Sequence, residues 1–110
     1  MKKGESKTIA FLIKRNGVAL DMSALDPAPS FKWGVKRQRE DSDYILEKED
    51  IDFDKTDVAD GYVKINVSAI ETAGINTGTY MSELKCVFSA SDIDKSANIP
   101  FTLEKSVIHD

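Results

Sequence analysis

The 110-residue chain contains one cysteine, one histidine and three prolines. With Cys86 as its single thiol, no intrachain disulfide framework can form, which fits a reducing compartment. One Cys and one His cannot supply the four ligands of a structural zinc. The histidine, His109, stands one residue from the end of the sequence, where chains usually fray. A nucleophile needs a base and a group that orients the base, so no Ser-His-Asp or Cys-His site is expected on it. No apolar run approaches the ~20 residues of a membrane helix. The basic start Met1–Lys7 precedes an apolar run, Ile9–Ile13, too short for a signal peptide. The expectation is a protein made and kept inside a cell. The six glycines are dispersed, and no glycine-rich phosphate loop is present. Neither an enzyme nor a cofactor or small-molecule substrate is expected.

What is present is enough for one core. A chain of this length buries roughly two thirds of its unfolded surface, and 41% of the residues are apolar. A single domain over 1–110 is expected. The net charge of −4 is unevenly placed. Residues 1–39 carry nine Lys/Arg against three acids, a net of +6, whereas residues 40–60 carry ten acids against two lysines, a net of −8. Opposed charged surfaces can steer like molecules together head to tail. If the charge serves contact, the residues expected to carry it are Lys36, Arg37 and Arg39 on one side and Asp50, Asp52 and Asp54 on the other.

The dominant hydrophobic period is two, that of a strand. Ile9, Phe11 and Ile13 share one face, and Asn16-Gly17 then supplies the positive φ angles of a tight hairpin turn into Val18–Leu20. Asp26-Pro27-Ala28-Pro29 breaks regular structure. Phe31, Trp33 and Val35 point inward between outward lysines, which suits an antiparallel sheet with one wet face. Tyr44–Leu46 reads as a short strand, Asp60-Gly61 as a turn, and Val63, Ile65 and Val67 as the inward face of the next strand. Ser68 and Glu71 have capping-box spacing, with Gly74 placed to end about a turn and a half of helix in a left-handed conformation. A long strand over Thr79–Ala90 follows, with Tyr80, Leu84, Cys86 and Phe88 on one face. A turn at Ser91–Asp94 and a last strand from Ile99 to Ile108 complete the chain, and these two strands are expected to form the central hairpin. The whole reads as an all-β, antiparallel β-sandwich of about seven strands with one short helical turn.

Two clusters invite chemistry. Asp50, Asp52 and Asp54, spaced by two, project from one face if the chain is extended, and hard cations favour clustered carboxylates. The run opens like an EF-hand loop but has Lys55 where glycine is needed and Gly61 where a bidentate glutamate is needed, so no metal is expected. A charged edge or loop that resists aggregation is the simpler reading. Lys32-Trp33-Gly34-Val35-Lys36-Arg37-Gln38-Arg39 mixes bases with an aromatic. Period two puts Trp33 opposite Lys32 and Lys36, whereas a stacking platform needs ring and bases on one surface. Nucleic acid is therefore not expected. Cys86, mid-strand on the apolar face, reads as a small buried hydrophobe.

In order, the features Gly4–Phe11, Asn16–Ser23, Phe31–Lys36, Asp60–Ile65 and the Gly78-Thr79-Tyr80 entry to the penultimate strand resemble the small immunoglobulin-like β-sandwich domains of tailed-phage structural proteins. These are the N-terminal domain of baseplate upper proteins and related tail or neck modules. The chain departs from that pattern at Met22, where leucine is usual, and in the length of its acidic stretch. The resemblance implies a phage or prophage virion component, made in the bacterial cytoplasm, that binds other virion proteins or itself. The alternative is an immunoglobulin-like binding module of a bacterial protein, with calcium as a variant.

Overall fold

The computed structural model describes residues 1–25, 28–37 and 44–104, apart from the side chains of Ala97 and Asn98. The described chain is all-β, with eight antiparallel-paired strands and one short helix. Strand β1 (Lys7–Leu12) pairs with β6 (Tyr62–Val67) in a two-stranded sheet. Strands β2 (Lys14–Arg15) and β3 (Val18–Ala19) form a small hairpin. Strands β4 (Ser30–Lys36), β5 (Leu46–Lys48), β7 (Gly78–Ser89) and β8 (Asp92–Leu103) form a four-stranded sheet in the order β5-β4-β7-β8.

Alternation decides which face each strand buries. Ile9, Phe11 and Ile13 turn inward, the last two buried, while Thr8, Ala10 and Leu12 are exposed. Phe31, Trp33 and Val35 are 3%, 1% and 0% exposed, and Val63, Ile65 and Val67 are at most 1% exposed, as period two requires. The two larger sheets meet through aromatic side chains. Phe11 of β1 packs 6.5 Å from Trp33 of β4, and Trp33 meets Phe101 of β8 edge-on at 5.6 Å. Cys86 is a buried free thiol on this inner face.

The turns follow residue chemistry. Asn16 and Gly17 both adopt positive φ, 55° and 77°, the type I′ geometry that joins β2 to β3. Gly61, at φ 85°, caps a 3-10 turn over Val58–Asp60 and starts β6. The helix α1 (Ala69–Thr72) has the expected capping box, with Ser68 Oγ accepting from Glu71 N and Glu71 accepting from Ser68 N.

Several expectations are corrected. Gly74 is not left-handed, since the positive-φ glycines are Gly4, Gly17, Gly61 and Gly78. The helix closes instead by i→i+3 bonds, Ala73 N to Ile70 O and Ile75 N to Thr72 O, which satisfy its last carbonyls without a left-handed residue. Strand β5, at the edge of the four-stranded sheet, covers Leu46–Lys48 rather than Tyr44–Leu46, and the Tyr44 ring packs against Gly34. The turn between the long strands is Ala90-Ser91, and β8 begins at Asp92 rather than Ile99. The long hairpin is not central, because β8 is an edge strand among the described residues. Pairing shifts between Ser82/Leu84 and Val87/Ser89. The first shift switches the inner face of β8 from even to odd numbers, so that Phe101 and Leu103 reach the core. Residues 105–108 of the expected last strand, His109, and Asp26-Pro27 lie outside the described residues.

Asp50-Ile51-Asp52 is a 3-10 turn, not an extended edge. It splits two apolar residues that the sequence treats alike, since Phe53 is 6% and Ile51 92% exposed.

Candidate functional site

The outer face of the four-stranded sheet carries the densest chemistry. Register places Lys32 of β4 opposite Lys85 of β7, and Lys85 opposite Lys95 of β8. Three lysines thus form one rung across three strands. Like charges directly opposite in a sheet are destabilising, so a counter-charge is needed nearby. One rung over, Gly34 faces Glu83. The Glu83 carboxylate lies 3.5 Å from both Lys36 Nζ and Lys95 Nζ, and its side chain is 13% exposed. The Tyr44 hydroxyl donates to the same carboxylate.

Tyr44 reaches Glu83 because Gly34 has no side chain. A Cβ at Gly34 would clash with the Tyr44 ring. The ring also sits under two ammonium groups, Lys36 Nζ at 5.1 Å and Lys32 Nζ at 5.6 Å from its centroid, within cation–π range. Lys32, Gly34, Tyr44, Glu83, Lys85 and Lys95 enclose a hollow of about 140 Å³.

The charges tune one another. The hydrogen bond to the Glu83 anion, helped by burial, pushes the Tyr44 hydroxyl up to about 12. The same bond, with Lys36 and Lys95, holds Glu83 below the usual carboxylate range against the opposing effect of burial. Both groups move away from neutrality, so neither exchanges a proton readily near pH 7, where a general acid or base must be poised. The arrangement presents positive charge and an aromatic ring to solvent, and that suits binding of an anionic surface. Because the Tyr44 shift is upward, its contribution to stability is present below its ordinary value of 10.0 and is lost as pH rises through about 12. Gly34→Ala should unseat the ring and return Tyr44 toward that ordinary value. Ultraviolet titration of tyrosinate checks this, and an unchanged late-titrating tyrosine in the variant would refute the placement.

The two charged regions read from the sequence are not brought together. Lys36 ends β4 at the Tyr44 site, and Arg37 follows it, exposed; Arg39 lies outside the described residues. Asp50 is at the other end of β4, where it accepts from Phe31 N at 2.9 Å and pairs with Lys55 Nζ at 2.8 Å. Asp52 accepts from Glu49 N. Asp54 accepts from the Thr56 backbone and hydroxyl, which lower its pKa. Asp50 thus ties its 3-10 turn to the start of β4, while Asp52 and Asp54 bond within their own turns. Among the described residues, no three His, Cys, Asp or Glu side chains form a group that could hold a metal ion.

Cys86 has its thiol pushed up to about 11 by burial, with Asp94 adding to the shift, so little thiolate exists near neutrality. Lys48 and Glu71 form a half-hidden pair at 2.6 Å. Burial would push Glu71 up, but Lys48 and Ser68 together hold it below its ordinary value. The pair ties α1 to the edge of the four-stranded sheet.

Sequence reasoning missed Tyr44, Glu83, Lys85 and Lys95. The period placed Lys32 outward but could not say which lysines would stand beside it, since that depends on the pairing register. Comparison with family models, curated proteins and solved structures finds no match to this chain.

Proposed function

We propose that this chain is a non-catalytic structural or accessory component of a tailed-phage or prophage virion, an immunoglobulin-like sandwich that works through protein–protein assembly. The observation that carries the assembly reading is the rung Lys32–Lys85–Lys95 beside Lys36 and Tyr44. An acidic surface on another virion protein, or on a second copy, relieves the repulsion within that rung and adds ion pairs around an aromatic anchor. The order of turn and strand motifs supports the virion placement, with synthesis in the bacterial cytoplasm. The calcium-binding alternative draws no support from Asp50, Asp52 and Asp54, which are engaged by lysine, threonine and backbone donors.

Light scattering at low and high salt, with co-sedimentation on phage particles, tests this. The expected result is a homo-oligomer or a particle-bound protein whose association weakens with salt. Lys85→Glu with Lys95→Glu should weaken it further at low salt. A strict monomer that co-sediments with no particle would sink the assembly reading, and salt-independent association would sink the role of the lysine face.

A further inference from the structure

We propose that the free edge of β1 is a strand-addition site for one extended segment of a partner protein, in which apolar residues alternate with acidic ones. Among the described residues, β1 has β6 as its one sheet neighbour. Two features of the bonding show which of its backbone groups are spent there. Ile13 N donates to Gly61 O at 2.8 Å, extending the ladder, so odd-numbered residues face β6. Lys64, opposite Ala10, instead exchanges bonds with Asp54 on the far side of β6, so this rung is a non-hydrogen-bonded pair. Both observations direct the N–H and C=O groups of Thr8, Ala10 and Leu12 away from β6, along the free edge.

The space beside that edge has the right form. A groove of about 550 Å³ runs between β1 and the β7–β8 hairpin. Phe11 and Ile13 line one side and Leu84, Cys86 and Ile99 the other. A strand hydrogen-bonded to Thr8, Ala10 and Leu12 projects every second side chain into this groove. Exposed edges are usually protected by proline, a bulge or an inward charge; β1 has none of these between Thr8 and Leu12. The rim is cationic, with Lys7 and Lys14 exposed at the two ends of the edge and Lys95 beside the groove. That charge selects acidic residues at the outward positions of the incoming strand. β8 lines the groove with Asp94, Lys95, Ser96 and Ile99. It therefore lies under the vacant position, which leaves room for a single strand. Two copies joined through their β1 edges would bring the exposed Lys7 and Lys14 of one toward those of the other, like charge against like.

The test uses the whole chain and a short capped peptide alternating valine and glutamate. The amide resonances of Thr8, Ala10 and Leu12 are expected to shift and gain protection from hydrogen exchange on titration, while those of Ile9 and Phe11 keep the protection they already have. A peptide with lysine in place of glutamate should bind roughly tenfold more weakly. Ala10→Pro removes an outward N–H without touching the β6 ladder, a substitution edge strands tolerate. It should weaken binding roughly tenfold or more, the loss of a hydrogen bond with added obstruction. Should Ala10→Pro fail to fold, the exchange data on the unaltered protein decide the matter. The proposal is overturned if millimolar peptide leaves those three amides unchanged, if folded Ala10→Pro binds as tightly as the original, if the lysine peptide binds as well as the glutamate one, or if the free protein proves to dimerise through β1.

Discussion

Replacing Trp33 by alanine is expected to lower the unfolding free energy by about 3–5 kcal/mol. Domains of this kind have about 5–15 kcal/mol to lose, so the variant should be close to unfolded at modest temperature. The residue is 1% exposed and occupies the middle of β4. Its neighbours cannot close over the gap, because they are fixed by sheet register. Leu84 is directly opposite on β7, Lys48 on β5, and Phe101 meets the indole edge-on. Phe11, on the β1–β6 sheet, loses its partner as well. The melting temperature should fall by on the order of 20 °C, as read by circular dichroism. Ile51→Ala, at a residue 92% exposed, should change stability by no more than ~0.5 kcal/mol. A Trp33→Ala loss under ~1 kcal/mol would mean that the two sheets do not share this core.

Gly61→Ala is expected to cost about 2–4 kcal/mol, from two sources that can be separated. The first is conformational. Gly61 sits at φ 85°, and a left-handed residue with a Cβ costs about 1–2 kcal/mol. The second is crowding. The added methyl would stand 3.1 Å from both the Ile13 and Leu20 carbonyl oxygens and 3.2 Å from Leu20 N. These are backbone atoms held by the bonds Ile13 N to Gly61 O and Leu20 N to Ile13 O. Relief must break one of those bonds, and they join β1 to β6 and to the small hairpin. Gly17→Ala isolates the first source, because Gly17 has φ 77° and nothing within 4 Å of the added atom. In urea denaturation Gly61→Ala should therefore cost more than Gly17→Ala. Equal losses would remove the crowding argument.

Much of the local structure was legible for a simple reason. A strand's side chains alternate, and the faces Phe31-Trp33-Val35 and Val63-Ile65-Val67 name their own buried sides whatever lies opposite. The Asn16-Gly17 turn and the Ser68/Glu71 capping box were legible because each is satisfied within four residues of chain. Gly74 misled because the same carbonyls can be satisfied by tighter i→i+3 bonds, and nothing local chooses between the two endings. The acidic run misled because each carboxylate in it found a nearby amide, hydroxyl or ammonium group. Those bonds, one of them from Phe31 N on β4 to Asp50, turned an apparent row of charges into a set of separate contacts.

From the sequence alone came the all-β class, the inward faces, the buried cysteine and the main turns, since these rest on periodicity and on short-range hydrogen bonding. Tertiary structure alone decided which strands are neighbours. That decision put Lys32, Lys85 and Lys95 on one rung, set Tyr44 over Gly34 with its hydroxyl on Glu83, and left β1 with one partner strand among the described residues. Pairing register joins residues as far apart as Ser30 and Val87 in the four-stranded sheet. No local rule carries that information, because the energy that selects the register is the burial of both sheet faces at once.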